Sequence, residues 1–295
     1  MVSPQAQRQG VRYLTEEWAY SQRRACGLVG MARSSARYQT RRKPEEAELR
    51  AHLRQLAGCH QTYGCPRIAA LLGREGYQVN QKRVHRLWKE EGLQLPRRPR
   101  KRRRGPQGEV VHKAEYINHV WSYDFLEDRT QQGGKLRLLT VLDEFTRECL
   151  EIRVERSITS AKVIDTLEWL ALVRGLPAYI RSDNGPEFIA KAVQQWLEEN
   201  HCRTIYIEPG SPWEIPYIES FNGKLREECL NQYVFTNTRE AQEIVSSWRE
   251  EYNQYRPHSS LGYLTPQEFA VSFGSPMGPT DNGKTWAKTS HSEWY

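Results

Sequence analysis

The stretch Pro96–Pro106, reading PRRPRKRRRGP, sets the first limit on how this chain can fold. Seven Lys or Arg residues lie between Arg97 and Arg104, and three prolines punctuate the stretch. Like charges repel and prolines remove backbone donors, so no packed element is expected there. Residues 96–112 therefore read as a basic linker, and each core must be built on one side of it or the other. The charge balance also changes across it. Residues 1–113 hold 25 Lys+Arg against 9 Asp+Glu, and the remainder hold 18 against 27. A basic front joined to an acidic body points to nucleic-acid binding at the front. Arg97, Arg98, Arg100, Lys101, Arg102, Arg103 and Arg104 are candidate phosphate contacts, of the non-specific and salt-sensitive kind.

Ahead of the linker the pattern is helical. Residues 1–43 read as a helix-turn-helix. Ser21 caps a helix carrying Ala25, Leu28 and Val29 inward, Gly30 makes the turn, and Ser34 or Ser35 starts the next helix. Residues 44–95 read as a second helical DNA-binding unit, with helices at Glu45–Ala57, from Pro66 to Leu72, and at Gln81–Glu91. In the last of these Asn80 is the cap, Gly92 the stop, and Val84, Leu87 and Trp88 share the inward face. Lys82, Arg83, His85, Arg86 and Lys89 are left outward, and Lys82, Arg83 and Arg86 are candidate DNA contacts. Met1–Gly10 has no signal-peptide core and no apolar run approaches a membrane span, so a cytoplasmic protein without a membrane partner is expected. Six cysteines lack any Cys-x-x-Cys pair and read as reduced, mostly buried thiols. His52, Cys59, His60 and Cys65 cluster at spacings that fit no zinc pattern.

Beyond the linker the period changes. His119–Glu127, Lys135–Asp143 and Glu148–Val154 read as three successive strands. A helix at Ser160–Arg174, a strand at Ala178–Ser182, a helix at Pro186–Asn200, a strand at Arg203–Ile207 and a helix from Trp213 to Cys229 follow. This order defines a mixed α/β domain over residues 113–272. A further helix, Thr238–Tyr255, carries Ile244, Val245, Trp248 and Tyr252, which suit either a cover for the sheet or self-association. Residues 273–295 form a tail with no readable pattern.

Three carboxylates stand out by context. Asp124 lies mid-strand among Trp121, Tyr123 and Phe125, where a charge is costly unless paired or bound to a cation. Asp183 ends the fourth strand, and Glu219 lies in the last helix, with 35 residues between them. If strands one and four are adjacent and the helix crosses their ends, the three converge on hard cations, which favour oxygen ligands. Asp143 suits a brace for such a site and a turn equally well, and Glu187 suits a helix start.

The residues around these acids resemble a known family. Trp121–Phe125 (WSYDF), Ser182–Phe188 (SDNGPEF) and Ile218–Arg226 (IESFNGKLR) are similar to the catalytic motifs of retroviral-integrase-like DDE transposases. Arg256–Pro266 (RPHSSLGYLTP) is similar to a signature of the insertion-sequence-three family, second reading frame product. Ser21–Cys26 and Thr62–Gly64 also resemble that group. The resemblance implies a ribonuclease-H-like mixed sheet flanked by helices, preceded by all-α helix-turn-helix domains. It implies Asp124, Asp183 and Glu219 as catalytic residues holding two magnesium ions, with manganese as a substitute. It implies cleavage of double-stranded DNA at the element's terminal repeats, followed by attack of the freed 3′ hydroxyl on target DNA. Holding two DNA ends together makes an oligomer on DNA the expected form. The family's upstream helix-turn-helix and leucine-zipper product is the expected partner or fusion, and the bacterial nucleoid is the expected place of action. Pro212-Trp213-Glu214-Ile215 departs from the family's Pro-Trp-Asp-Asn.

On the last catalytic helix Ile218, Phe221 and Leu225 are expected to face the sheet. Asn222 and Arg226 fall on the face of Glu219, and with Lys224 they are candidate DNA contacts beside the metals. A DNA-binding regulator with a silent core, a structural subunit, and a cellular nuclease remain alternatives, separable by cutting and joining assays.

Overall fold

Serine caps and a left-handed glycine organise the first helices. The computed structural model describes residues 3–37, 44–96, 113–182, 191–206 and 216–274. Ser3 Oγ accepts from Ala6 N and starts α1 (Pro4–Glu16), a helix the sequence reading did not anticipate. Ser21 Oγ accepts from Arg24 N and starts α2 (Gln22–Val29). Gly30, at φ +68°, turns the chain into α3 (Arg33–Arg37), as expected of a residue without a Cβ. The expectation that Leu28 points inward is corrected: it is 63% exposed, while Ala25 and Cys26 are buried and Val29 packs beside them. At 100° per residue those three share a seam that Leu28 misses by about a quarter turn. Then α4 (Pro44–Cys59) buries Leu49, Leu53 and Leu56. Contacts divide the chain into units of residues 1–59 and 60–295, so the break falls within the segment read from sequence as 44–95.

In the second unit α5 (Cys65–Arg74) precedes α6 (Gln81–Glu90), which Asn80 caps through Lys82 N. Val84, Leu87 and Trp88 of α6 are buried, and Lys82, Arg86 and Lys89 are exposed, as the periodicity requires; Arg83 is half-buried.

The sheet consists of β1 (Val120–Arg129), β2 (Lys135–Asp143), β3 (Cys149–Glu155), β4 (Tyr179–Ser182) and β5 (Arg203–Tyr206), in the order β3-β2-β1-β4-β5. β1, β2 and β3 form an antiparallel ladder, and β4 lies parallel to β1 with Ser122 opposite Arg181. Parallel neighbours need crossover helices, which α7 (Ser160–Arg174) and α8 (Lys191–Glu199) supply. Both cover one face, packing on Trp121, Tyr123, Leu139, Val141 and Ile180. The other face is covered by α9 (Pro216–Leu225) and α10 (Thr238–Gln254), on Leu136, Leu138, Leu142, Ile152 and Val154. Ile218, Phe221 and Leu225 face that sheet as expected, and Val245, Trp248 and Tyr252 of α10 join them. The helix expected from Trp213 to Cys229 does not run unbroken to its end. It ends at Leu225 and continues as a π-helical turn, Arg226–Leu230. After α10 the signature segment makes a tight turn through Ser259–Leu261 into α11 (Pro266–Gly274). There Thr265 Oγ1 accepts from Glu268 N while the Glu268 carboxylate accepts from Thr265 N, a reciprocal cap. All six cysteines are free thiols and five are buried.

Candidate active site

Pleat parity decides where Asp124 points. Trp121 and Tyr123 face α7 and α8, so Ser122 and Asp124 face α9. Asp124 is half-buried there, and both oxygens accept hydrogen bonds. Phe125 N donates to Oδ1 at 2.7 Å and Asn222 Nδ2 donates to Oδ2 at 2.8 Å. Thr140, opposite Asp124 on β2, places Oγ1 3.0 Å from Asn222 Oδ1 and 3.1 Å from the Asp124 carbonyl. Asn222 is only 6% exposed, so the amide expected to contact DNA is instead occupied between β1 and β2.

That contact also places Glu219. It lies three residues before Asn222, in the first turn of α9, and residues three apart share a helix face. The helix face carrying Glu219 is thereby fastened to the strand carrying Asp124, and Glu219 itself is exposed. Asp183 follows Ser182 of β4 directly in sequence, and β4 is the parallel neighbour of β1. Asp183 itself lies outside the described residues, as do Glu187, Arg97–Arg104 and Glu214-Ile215. Among the described residues no three acidic, His or Cys side chains are grouped to hold a metal ion. The donors that the described part does supply, Asp124 and Glu219, are carboxylate oxygens, the type a hard divalent cation takes.

The other expected residues are dispersed over α9, the π-turn after it and the end of β2. Arg226 is half-buried and donates to the Glu127 carbonyl at 3.0 Å. Lys224 lies on another side of the helix, beside Arg67 and Arg256. Asp143 makes a turn: Oδ1 accepts from Phe145 N and Thr146 N, and Oδ2 from Asn118 N. Behind the site Arg181 and Glu144 form a fully buried ion pair at 3.4 Å. Burial pushes the Glu144 carboxyl up to about 7 against the pull of Arg181. Sequence reasoning missed Thr140, although a hydroxyl inside the apolar run Leu138–Leu142 was a usable signal. It also missed Arg67 and the Arg181–Glu144 pair, whose partners are distant in sequence.

A mixed sheet of this order with helices on both faces, carrying Asp124 on β1 and Glu219 on α9, is that of an integrase-type core. Residues 115–212 and 200–266 match Integrase core domain families, and residues 44–102 match an HTH-like domain. A protein of insertion element IS407 from Burkholderia multivorans is 40% identical over 263 residues, covering 88% of this chain and 93% of that one. Transposase InsF for insertion sequence IS3A of Escherichia coli K12 is 27% identical over 251 residues, covering 80% and 85%. The chain belongs to the insertion-sequence-three family of transposases and acts in DNA transposition as a polynucleotidyl transferase. Its fold is also similar to a chain in the simian T-cell lymphotropic virus intasome, solved in complex with PP2A regulatory subunit B56 gamma. That likeness has a TM-score of 0.50 and 17% identity over 81% of this chain and 80% of that one. Among the described residues no helix is long and apolar enough to cross a membrane.

Proposed function

We propose that Asp124, Asp183 and Glu219 form the catalytic site and together hold two magnesium ions, with manganese as a possible replacement. Bound there, the metal supplies charge neutralisation at the phosphoryl oxygens and lowers the pKa of the attacking water. The reaction is hydrolysis of a phosphodiester at the element end, releasing a 3′ hydroxyl, followed by attack of that hydroxyl on a second phosphodiester. In each step one P–O bond forms and one breaks, and the displaced oxygen takes a proton.

The observation that carries this reading is the Asn222–Asp124 hydrogen bond, which ties the helix of Glu219 to the strand of Asp124. Asn222 orients the Asp124 carboxylate before substrate arrives, so little rearrangement remains for the reacting complex. Arg226, Lys224, Lys82, Arg83 and Arg86 supply positive charge along the DNA, and the Arg97–Arg104 run tracks its phosphates. Two element ends must be held at once, so the working form is an oligomer on double-stranded DNA. The upstream reading frame product joins it as partner or fusion, and the assembly works at the bacterial nucleoid in the cytoplasm. Residues 1–43 and 44–95 act as DNA-binding segments, the second contributing α5 and α6 to the unit that holds the sheet, and residues 113–272 carry the catalytic site.

The test is magnesium-dependent cleavage and joining of labelled element-end DNA by wild type beside Asp183→Asn. Cutting that vanishes in the variant while DNA binding persists is the expected result. Absence of cutting by wild type, even with the upstream product supplied, would instead make the chain a silent DNA-binding regulator.

A further inference from the structure

A cationic pocket lies on α9, round the helix from Glu219. A pocket of about 920 Å³ is lined by Ser220, Gly223 and Lys224 of α9, by Arg67 of α5 and by Arg256 beyond α10. Its acidic lining is Glu227 and Glu228. Glu228 is already committed: Arg256 Nε and Nη2 bind its two oxygens at 2.7 and 2.5 Å, and Arg256 is 1% exposed. The Arg256 guanidinium also lies 5.6 Å from the Tyr63 ring centroid and 5.7 Å from that of Tyr252.

Arg67 and Lys224 are not neutralised in this way. Among the described residues no carboxylate lies within ion-pair distance of Lys224. Its ammonium is lowered to about 8, by burial first and then by Arg256 and Arg67. Arg67 is lowered as well, by burial and then by Arg256. Arg67 Nε and Arg256 Nη1 are buried with no hydrogen-bond partner among the described residues. His258 Nε2 is likewise buried without one, and burial with Arg256 and Lys224 lowers that imidazole to about 2, so it adds no charge. Three cations thus meet one committed carboxylate and one rim carboxylate, with donors left over. Such a cluster is completed by an anion that brings several acceptor oxygens.

Position selects the anion. Lys224 is five residues beyond Glu219, roughly 7–8 Å along the helix axis at 1.5 Å per residue. Leu95 and Pro96 also line the pocket, and Pro96 is followed in sequence by Arg97–Arg104. We propose that Arg67, Lys224 and Arg256 form one receptor for a single DNA backbone phosphate, flanking the phosphodiester that reacts at Asp124 and Glu219. The assignment rests on the transposase site proposed above and adds a fixed anchor that sets where the strand lies on α9.

The test measures binding of the full chain to a fluorescently labelled DNA duplex across a salt series, for wild type, Lys224→Met, Arg67→Met and the double variant. Methionine keeps an unbranched apolar stem and buries no charge, and near-UV circular dichroism checks that each variant folds. If both cations serve one phosphate, each single variant flattens the slope of log affinity against log salt by about 0.9. The double variant then flattens it by no more than that same amount. Unchanged slopes overturn the proposal, and so does a double variant that loses about 1.8, since that means two separate phosphates. Protection of wild type from melting by inorganic phosphate, with DNA slopes unchanged, overturns it in favour of a free-anion site. Asp124→Asn, measured for these binding slopes and for magnesium-dependent cutting of element-end DNA, separates the two readings. If that variant still cuts, the metal site fails while the slopes still decide the pocket.

Discussion

At the scale of single residues the site depends on one amide. Asn222 satisfies Asp124 on one side and Thr140 on the other, and at 6% exposure water cannot replace it readily. Asn222→Ala should therefore cost about 1–3 kcal/mol, the penalty for buried polar groups left unmatched. Urea denaturation measures that cost. Cleavage should fall further than stability explains, because Asp124 loses its orientation; unchanged cleavage would remove Asn222 from the site. Glu144 permits a pH prediction. Its folded value of about 7 stands above the ordinary 4.5, so folding takes up a proton between those values. The stability it contributes is complete below pH 4.5 and is lost as pH rises through about 7. Glu144→Gln should abolish that component, visible as a flatter urea midpoint between the two pH values than wild type shows. Asp124 was legible in the sequence because a charge inside an apolar strand demands an explanation. The role of Asn222 was not, since its partner lies 98 positions away and only the pairing of α9 with β1 brings them together.

Among elements, the strands and helices after the linker were legible nearly to their ends because both faces of the sheet are buried. Alternation in β1 and β2 and the 3.6 period in α7 and α9 therefore had to match their neighbours. The π-turn at Arg226–Leu230 was not legible, since no local residue choice demands it. Its anchor is tertiary: Glu228 in the turn binds Arg256 at the exit of α10. The Arg256–Pro266 signature, read from sequence only as a family mark, thus has a structural task of holding that turn. Arg256→Met should destabilise the chain by about 3–5 kcal/mol by leaving Glu228 buried and uncompensated. The double variant Arg256→Met with Glu228→Met should recover most of that loss in thermal or urea unfolding. If the double variant is as unstable as the single, the tyrosine stacking rather than the ion pair holds the turn. In the first unit, Leu28 shows how short helices mislead. With eight residues in α2, two candidate seams fit equally well, and packing against α1 chose the one through Cys26.

For the molecule as a whole, the basic run that cuts the sequence in two does not cut the structure there. Helices α5 and α6, before the run, belong to the same unit as the sheet after it. Tyr63 Oη contacts Glu251, and Arg74 binds Glu268 and the carbonyls of Tyr255 and Tyr263, all across the linker in sequence. The consequence is that the chain closes a circuit at this point, and a circuit can be opened without losing its parts. Residues 1–96 and 113–295, produced as separate polypeptides and mixed, should elute together in size-exclusion chromatography and sediment as one particle. Separate elution would mean that these side-chain contacts need the covalent bond to persist. Co-elution would mean that Arg97–Arg104 is spared any duty in assembly, leaving its composition answerable to the nucleic acid alone.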